Sequence, residues 1–155
     1  VETTATVMFI VAAASIFGWM LTATGITAAL AQWVLAFTKE AWVFLLLANL
    51  LMLFVGCFLE PTAAITILVP LLLPIATQLG VDPVHFGLVM VLNLMIGLLH
   101  PPMGMVLFVL ARVAKLSVER TTMAILPWLV PLLVSLAILT YVPQIVLWLP
   151  RTMGF

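Results

Sequence analysis

Two short stretches carry the residues that could do chemistry. One is Gly97-Leu98-Leu99-His100-Pro101-Pro102-Met103-Gly104, the other Gly56-Cys57-Phe58-Leu59-Glu60-Pro61-Thr62. Both sit inside apolar runs. From Pro83 to Ala111 there is no Asp, Glu, Lys or Arg, and from Ala41 to Val81 the ionisable side chains are Cys57 and Glu60. A proline lacks the backbone donor and clashes with the carbonyl four residues earlier, at ~3 kcal/mol or more in a helix interior. Pro101 and Pro102 in succession, with His100 biased away from the α region, unwind about one turn. Carbonyls freed at membrane depth are tolerated only when buried in protein or lining a polar cavity. Breaks of this kind build ion sites in secondary transporters: unwound carbonyls coordinate a cation, and half-helix N-termini offer positive dipole ends to anions. The competing reading of the prolines is a kink that only bends a packing helix.

The neighbouring polar residues carry the same pair of readings. Glu60 is either a flanking residue at a helix N-terminus or an intramembrane carboxylate with a function. Asn93, one turn before Gly97 on the same face, either joins a polar site at the break or bonds to a neighbouring helix. His100 alone cannot specify a transition metal, because no Cys, Asp or second His accompanies it at ligand spacing. His85, near the start of its helix, reads as an interfacial residue. No Ser-His-Asp, HExxH or P-loop pattern occurs. An enzyme would have no acid, base or nucleophile set to work with.

Composition says what kind of scaffold must hold these stretches. The 155 residues are 66% hydrophobic and 6% charged, whereas a soluble domain carries about 25% charged residues. Apolar runs of about 18 residues or more predict a polytopic, all-α membrane protein. The ~10-residue alternating segments of a β-barrel are missing. A formal net charge of zero gives no argument for nucleic acid. Cys57, the single cysteine, has no partner for an internal disulfide. The chain begins with Val1 and has no basic, short-h-region signal peptide, so it reads as a fragment or the later part of a longer polypeptide.

The charges and the Gly/Pro punctuation then divide the chain. Residues 1–24 hold a first span, Thr3 to Thr22, whose small residues permit close packing in lipid. Residues 25–40 hold a short helix at the interface, with Ile26, Ala29, Leu30, Trp33, Val34 and Phe37 at helical spacing. As one straight helix, Ala41 to Val81 would measure about 60 Å, twice the ~30 Å hydrocarbon thickness. It must fold back, with a tip at 56–62 and Pro61 as the first residue of the returning helix. Either both limbs cross the bilayer fully or the pair is a re-entrant hairpin. Asp82 and Pro83 start the next helix, which runs to about Gly97, breaks, and resumes to about Ala111, within a segment 82–115. A last span, Thr121 to about Val142, and an amphipathic tail complete 121–155. Three of the five Lys and Arg residues lie in the loop 112–120, which therefore reads as cytoplasmic. Trp19, Trp42 and Trp148 fall near span ends, as an aromatic belt requires.

With these elements in place, GCFLEPTAAITILVPLLLPIATQLGVDPVHFGLVMVLNLMIGLLHPPMGMVLFV (Gly56 to Val109) resembles the large membrane subunit of tripartite ATP-independent periplasmic (TRAP) transporters. The similarity continues to YVPQIVLWLPRTMG near the end, and GVDPVHFG followed by IG and a PPxG break is its specific part. The resemblance implies the C-terminal half of that subunit: one of two inverted repeats, with a re-entrant helical hairpin and a discontinuous transmembrane helix in a mobile, elevator-like transport domain. It implies Na⁺-coupled import of small organic acids, C4-dicarboxylates or sialic-acid-like compounds, across the bacterial inner membrane, with no cofactor beyond the coupling ion. The implied partners are the N-terminal half of the same subunit, a small membrane subunit, a periplasmic binding protein and the lipid bilayer. Carried over by position, Gly56, Gly97, His100 and Met103 would bind sodium, mainly through backbone carbonyls, since Na⁺ takes oxygen ligands. Glu60, Pro61, Thr62, Asn93 and Pro101 would face the substrate. The family usually has Thr at the position of His100 and Asp at that of Glu60. The alternative to a transporter is a non-transporting membrane scaffold that binds partner subunits through small-residue faces, which would not need two interruptions.

Overall fold

The computed structural model describes residues 8–153 except 10, 11, 14, 18, 21, 22 and 101–103. Every described residue between 8 and 20, and residue 23, is helical, and no strand occurs among the described residues. The helices that follow are α1 (Ile26–Phe37), α2 (Ala41–Phe58), α3 (Pro61–Gln78), α4 (Pro83–Gly97), α5 (Met105–Ala114), α6 (Val118–Tyr141) and α7 (Pro143–Thr152). By length and composition, α2, α3 and α6 can each cross a membrane, while α4 is a shorter apolar helix. The all-α, multi-pass membrane architecture follows.

Local chemistry sets most of the boundaries. Gly25, at φ 72°, takes the left-handed conformation that starts α1. Glu60 and Asp82 cap α3 and α4 through side-chain oxygens, each followed by a proline at the first helical position. Ser117 does the same for α6, accepting from the Arg120 N–H at 3.4 Å. That cap begins the last span at Val118, three residues before the expected Thr121, and takes Glu119 and Arg120 into its first turn. Arg112 likewise belongs to the last turn of α5, so the basic loop shrinks to Lys115, Leu116 and Ser117. Pro70 and Pro74 lie inside α3, and Pro127 and Pro131 inside α6. At a spacing of four, the second proline of each pair would have bonded to the first, so the missing bonds fall on one stripe of each helix.

Helix α4 is the centre of the packing. Phe44 near the start of α2 and Leu72 toward the end of α3 share one buried cluster with Phe86 and Met90 of α4, so α2 and α3 run antiparallel beside it. The Phe44 and Phe86 rings stack with centroids 6.1 Å apart. On another face, Val89 and Ile96 of α4 pack against Leu129 and Leu136 of α6.

Two polar connections run through this apolar core. The Asn93 amide, fully buried on α4, donates to the Asn49 side-chain oxygen and to its backbone carbonyl at 3.2 Å. Asn49 in turn donates to the Thr140 hydroxyl of α6 at 3.1 Å. The second connection involves His85, which is buried among the helices. Its Nε2–H donates to the Leu139 carbonyl at 2.8 Å. In a continuous helix that carbonyl would bond to the N–H four residues on, but residue 143 is proline and has none. His85 supplies the donor that Pro143 withholds, tying the start of α4 to the end of α6.

Candidate functional site

The two interruptions found in the sequence meet in space. α2 ends at Phe58, Leu59 and Glu60 make the connection, and α3 starts at Pro61. Pro61 has no N–H, so it cannot close the carbonyl of Cys57, four residues earlier. The C-terminal end of α2 lies against the C-terminal end of α4 with no side chain between. A Cβ on Gly97 would come within 2.9 Å of both the Cα and the carbonyl carbon of Gly56, and 3.3 Å of its oxygen. A Cβ on Gly56 would lie 3.2 Å from the Leu94 oxygen and 3.3 Å from the Gly97 Cα. Glycine at 97 is what lets the two backbones approach this closely in the apolar interior, while a Cβ at 56 would meet a tight contact that a small shift relieves.

Beyond Gly97 the chain leaves helical geometry. The Gly97 carbonyl, denied a donor by Pro101, turns to the His100 N–H at 3.0 Å, and Leu99 N–H bonds to the Ile96 oxygen at 3.0 Å. The chain regains helix after Gly104, whose N–H donates to the His100 oxygen at 3.2 Å. A Cβ on Gly104 would overlap the Leu98 oxygen and sit 2.8 Å from the Leu98 carbonyl carbon. Glycine is therefore required there by close approach of backbone. His100 is half-buried, and its ring reaches back to the α2–α3 tip, with Nδ1 3.8 Å from the Cys57 Sγ.

Beside the tip lies a crevice of about 450 Å³, lined by Glu60, Pro61, Thr62, Met95, Leu98, Val106 and Val109. The Glu60 carboxylate accepts from the Thr62 hydroxyl at 2.7 Å and from the Ala63 N–H at 3.1 Å. Partial burial works to raise its pKa, but the hydrogen bonds from Thr62 and Ala63 outweigh that effect and hold it below the ordinary glutamate range. The positive end of α3 is thus already closed by an internal anion. The start of α5, whose Val106 lines the same crevice, has no side-chain cap.

Of the expected sodium ligands, Gly56, Gly97 and His100 come together here, and Met103 lies outside the described residues. Of the residues expected to face substrate, Glu60, Pro61 and Thr62 line the crevice, while Pro101 lies outside the described residues. Asn93 is elsewhere: its side chain is fully buried on Asn49, the neighbouring-helix alternative that its position left open. Leu98, Met95 and Val106, all apolar, gave no sign in the sequence that they border a cavity. The proximity of Cys57 to His100 was equally silent, because the two are 43 positions apart.

Two glycine-joined interruptions in an all-α membrane chain, with a crevice beside them, call for comparison with known proteins. A family model described as "Tripartite ATP-independent periplasmic transporter, DctM component" matches residues 1–145. The chain belongs to this family. A C4-dicarboxylate TRAP transporter large permease protein DctM of Pseudomonas aeruginosa is 46% identical over 147 residues, covering 95% of this chain and 34% of that protein. A sialic acid TRAP transporter large permease protein SiaM of Vibrio cholerae is 45% identical over 151 residues, covering 97% of this chain and 35% of that protein. An isethionate TRAP transporter permease protein DctMQ of Oleidesulfovibrio alaskensis is 44% identical over 143 residues, covering 92% of this chain and 22% of that protein. The chain thus spans about a third of the length of the first two relatives. DctM-family proteins are transporters rather than enzymes, in keeping with a sequence that offers no catalytic set.

Proposed function

We propose that this chain supplies one inverted-repeat half of a Na⁺-coupled importer of small organic anions, working by an elevator-like movement. The contact between Gly56 and Gly97 carries the proposal, because it brings both helix interruptions into one place beside a crevice. In this reading α2 and α3 form a re-entrant hairpin, and Na⁺ binds where its tip meets the break, between carbonyls of Gly56, Gly97 and His100, with Met103 completing the site. Carbonyl oxygens suit a hard monovalent cation and bring no charge of their own to be desolvated. The non-transporting scaffold is the weaker reading, since two unwound segments in the core would only weaken it.

The relatives' names specify C4-dicarboxylate, sialic acid and isethionate, all organic anions. No Arg or Lys lies between Ala41 and Ala111, so recognition by this chain would rest on hydroxyls and helix ends. Of the two helix starts at the crevice, that of α3 is occupied by Glu60 and that of α5 is open. The substrate anion is expected nearer the second. The remaining partners in this proposal are the other half of the large subunit, a small membrane subunit and a periplasmic binding protein that delivers the substrate. The site is in the bacterial inner membrane, with the short basic loop after α5 on the cytoplasmic side.

Uptake by the complete transporter in liposomes, with the binding protein and a panel of carboxylates and sulfonates, tests this directly. Accumulation should require an inward Na⁺ gradient, and Na⁺ should raise the melting temperature of the purified protein by mass action. Uptake that is indifferent to the gradient, together with no thermal effect of Na⁺, would overturn the coupling.

A further inference from the structure

The pair formed by Cys57 at the hairpin tip and His100 in the helix break has the geometry of a soft-metal site. A tetrahedral zinc bonded to sulfur at about 2.3 Å and to imidazole nitrogen at about 2.1 Å sets those atoms about 3.6 Å apart. The Cys57 Sγ and the His100 Nδ1 are 3.8 Å apart, a separation one cation can bridge once the thiol gives up its hydrogen bond to the Leu53 carbonyl at 3.3 Å. Read from the sequence, His100 had no ligand partner at local spacing; the fold provides one from another helix.

We propose that Cys57 and His100 together bind a thiophilic divalent cation, Zn²⁺ or Cd²⁺, through Sγ and Nδ1. The thiol proton leaves to solvent as the metal–sulfur bond forms, and the imidazole binds as its Nε2–H tautomer. Among the described residues no third His, Cys, Asp or Glu joins them and Cys57 is buried, so affinity is that of a two-residue site. Glu60, three residues beyond Cys57, places a carboxylate at the neighbouring crevice, where it raises the local concentration of cations. This is a different chemistry from sodium binding: sulfur and imidazole nitrogen favour borderline and soft metals and are poor ligands for Na⁺.

The site has a mechanical consequence. Cys57 belongs to the tip and His100 to the break, so a bridging metal fastens one to the other. Inhibition of uptake rests on the transporter reading given above, and on the tip and the break parting when Na⁺ enters or leaves between them; metal binding itself does not.

Cd²⁺ titration of the purified complete transporter, read by the Cd–thiolate charge-transfer absorption, separates the two. A component of that absorption should vanish in Cys57→Ser, and in His100→Thr its apparent affinity should fall at least tenfold. Cd²⁺ should also slow maleimide labelling of Cys57 in the wild type and much less in His100→Thr, provided both elute as folded protein. An unchanged titration in either variant would overturn the site. Cd²⁺ should block uptake by the wild type and spare Cys57→Ser. Cd²⁺ bound at the pair with uptake unchanged would overturn the clamp while leaving the site in place.

Discussion

Gly56 and Gly97 touch through their backbones, with a Cβ on Gly97 falling 2.9 Å from the Gly56 Cα. The contact is asymmetric, since a Cβ on Gly56 finds nothing closer than 3.2 Å. In a helix, Gly→Ala brings up to ~1 kcal/mol of propensity, while overpacking a tight contact costs roughly 1–3 kcal/mol. Gly97→Ala should therefore lower the melting temperature and the Na⁺ dependence of uptake together, and Gly56→Ala should sit close to wild type in stability. Gly104→Ala, which collides with the Leu98 carbonyl, should be the most damaging of the three. Equal effects at Gly56 and Gly97 would show that the close approach does not control the site.

The Glu60 cap makes a pH-dependent contribution. Its pKa is held below the ordinary glutamate range in the folded protein, so the cap stabilises fully above the unfolded glutamate pKa and is lost as pH falls through the depressed one. Glu60→Gln keeps an acceptor oxygen but loses the charge, so its cost at neutral pH should be smaller than the ~1 kcal/mol of deleting an N-cap outright. Melting temperature followed from neutral to acidic pH should fall for the wild type and converge on that of Glu60→Gln at the acid end. A constant gap between the two curves would remove the carboxylate from this role.

His85 and Pro143 can be tested as a compensating pair. His85→Ala leaves the Leu139 carbonyl unpaired in a buried place, at about 1–3 kcal/mol. Pro143→Ala restores the missing backbone N–H, so His85→Ala should cost less in that background. An identical cost in both backgrounds, measured by denaturation of the purified protein, would mean that His85 contributes by packing alone.

The Asn49–Asn93–Thr140 connection joins three helices across the apolar core. Side-chain hydrogen bonds between membrane helices average about 0.6 kcal/mol and reach about 1.7. Asn93 is fully buried, and both of its contacts are with Asn49. A double-mutant cycle on Asn49 and Asn93 should therefore give a coupling near the upper value, and one on Asn49 and Thr140 a coupling near the mean. The reverse order would point to Thr140 as the main tie.

Much of the fold was legible because its signals are local. Hydropathy gave α2, α3 and α6, and the segment expected to lie at the interface became α1 within its expected limits. Asp82-Pro83, Glu60-Pro61 and the break after Gly97 each end or start a helix through their own backbone chemistry. The start of α6 was misplaced because a serine cap is a weaker signal than the charges around it.

The sequence by itself determined where the backbone must be interrupted, because a proline withholds its N–H and a glycine omits its Cβ whatever surrounds them. Only the tertiary structure decided which interruptions meet, and which polar side chains complete one another. Gly56 on Gly97, Cys57 beside His100, Asn93 on Asn49 and His85 on the Leu139 carbonyl join residues 41 to 54 positions apart, with the last three separations being 43, 44 and 54. Such pairings follow from how α2, α4 and α6 stack, and helix stacking depends on the shapes of whole apolar faces rather than on any short stretch. The carbonyl of Leu139 illustrates both halves: Pro143 dictates that it lacks a partner, and the fold provides His85.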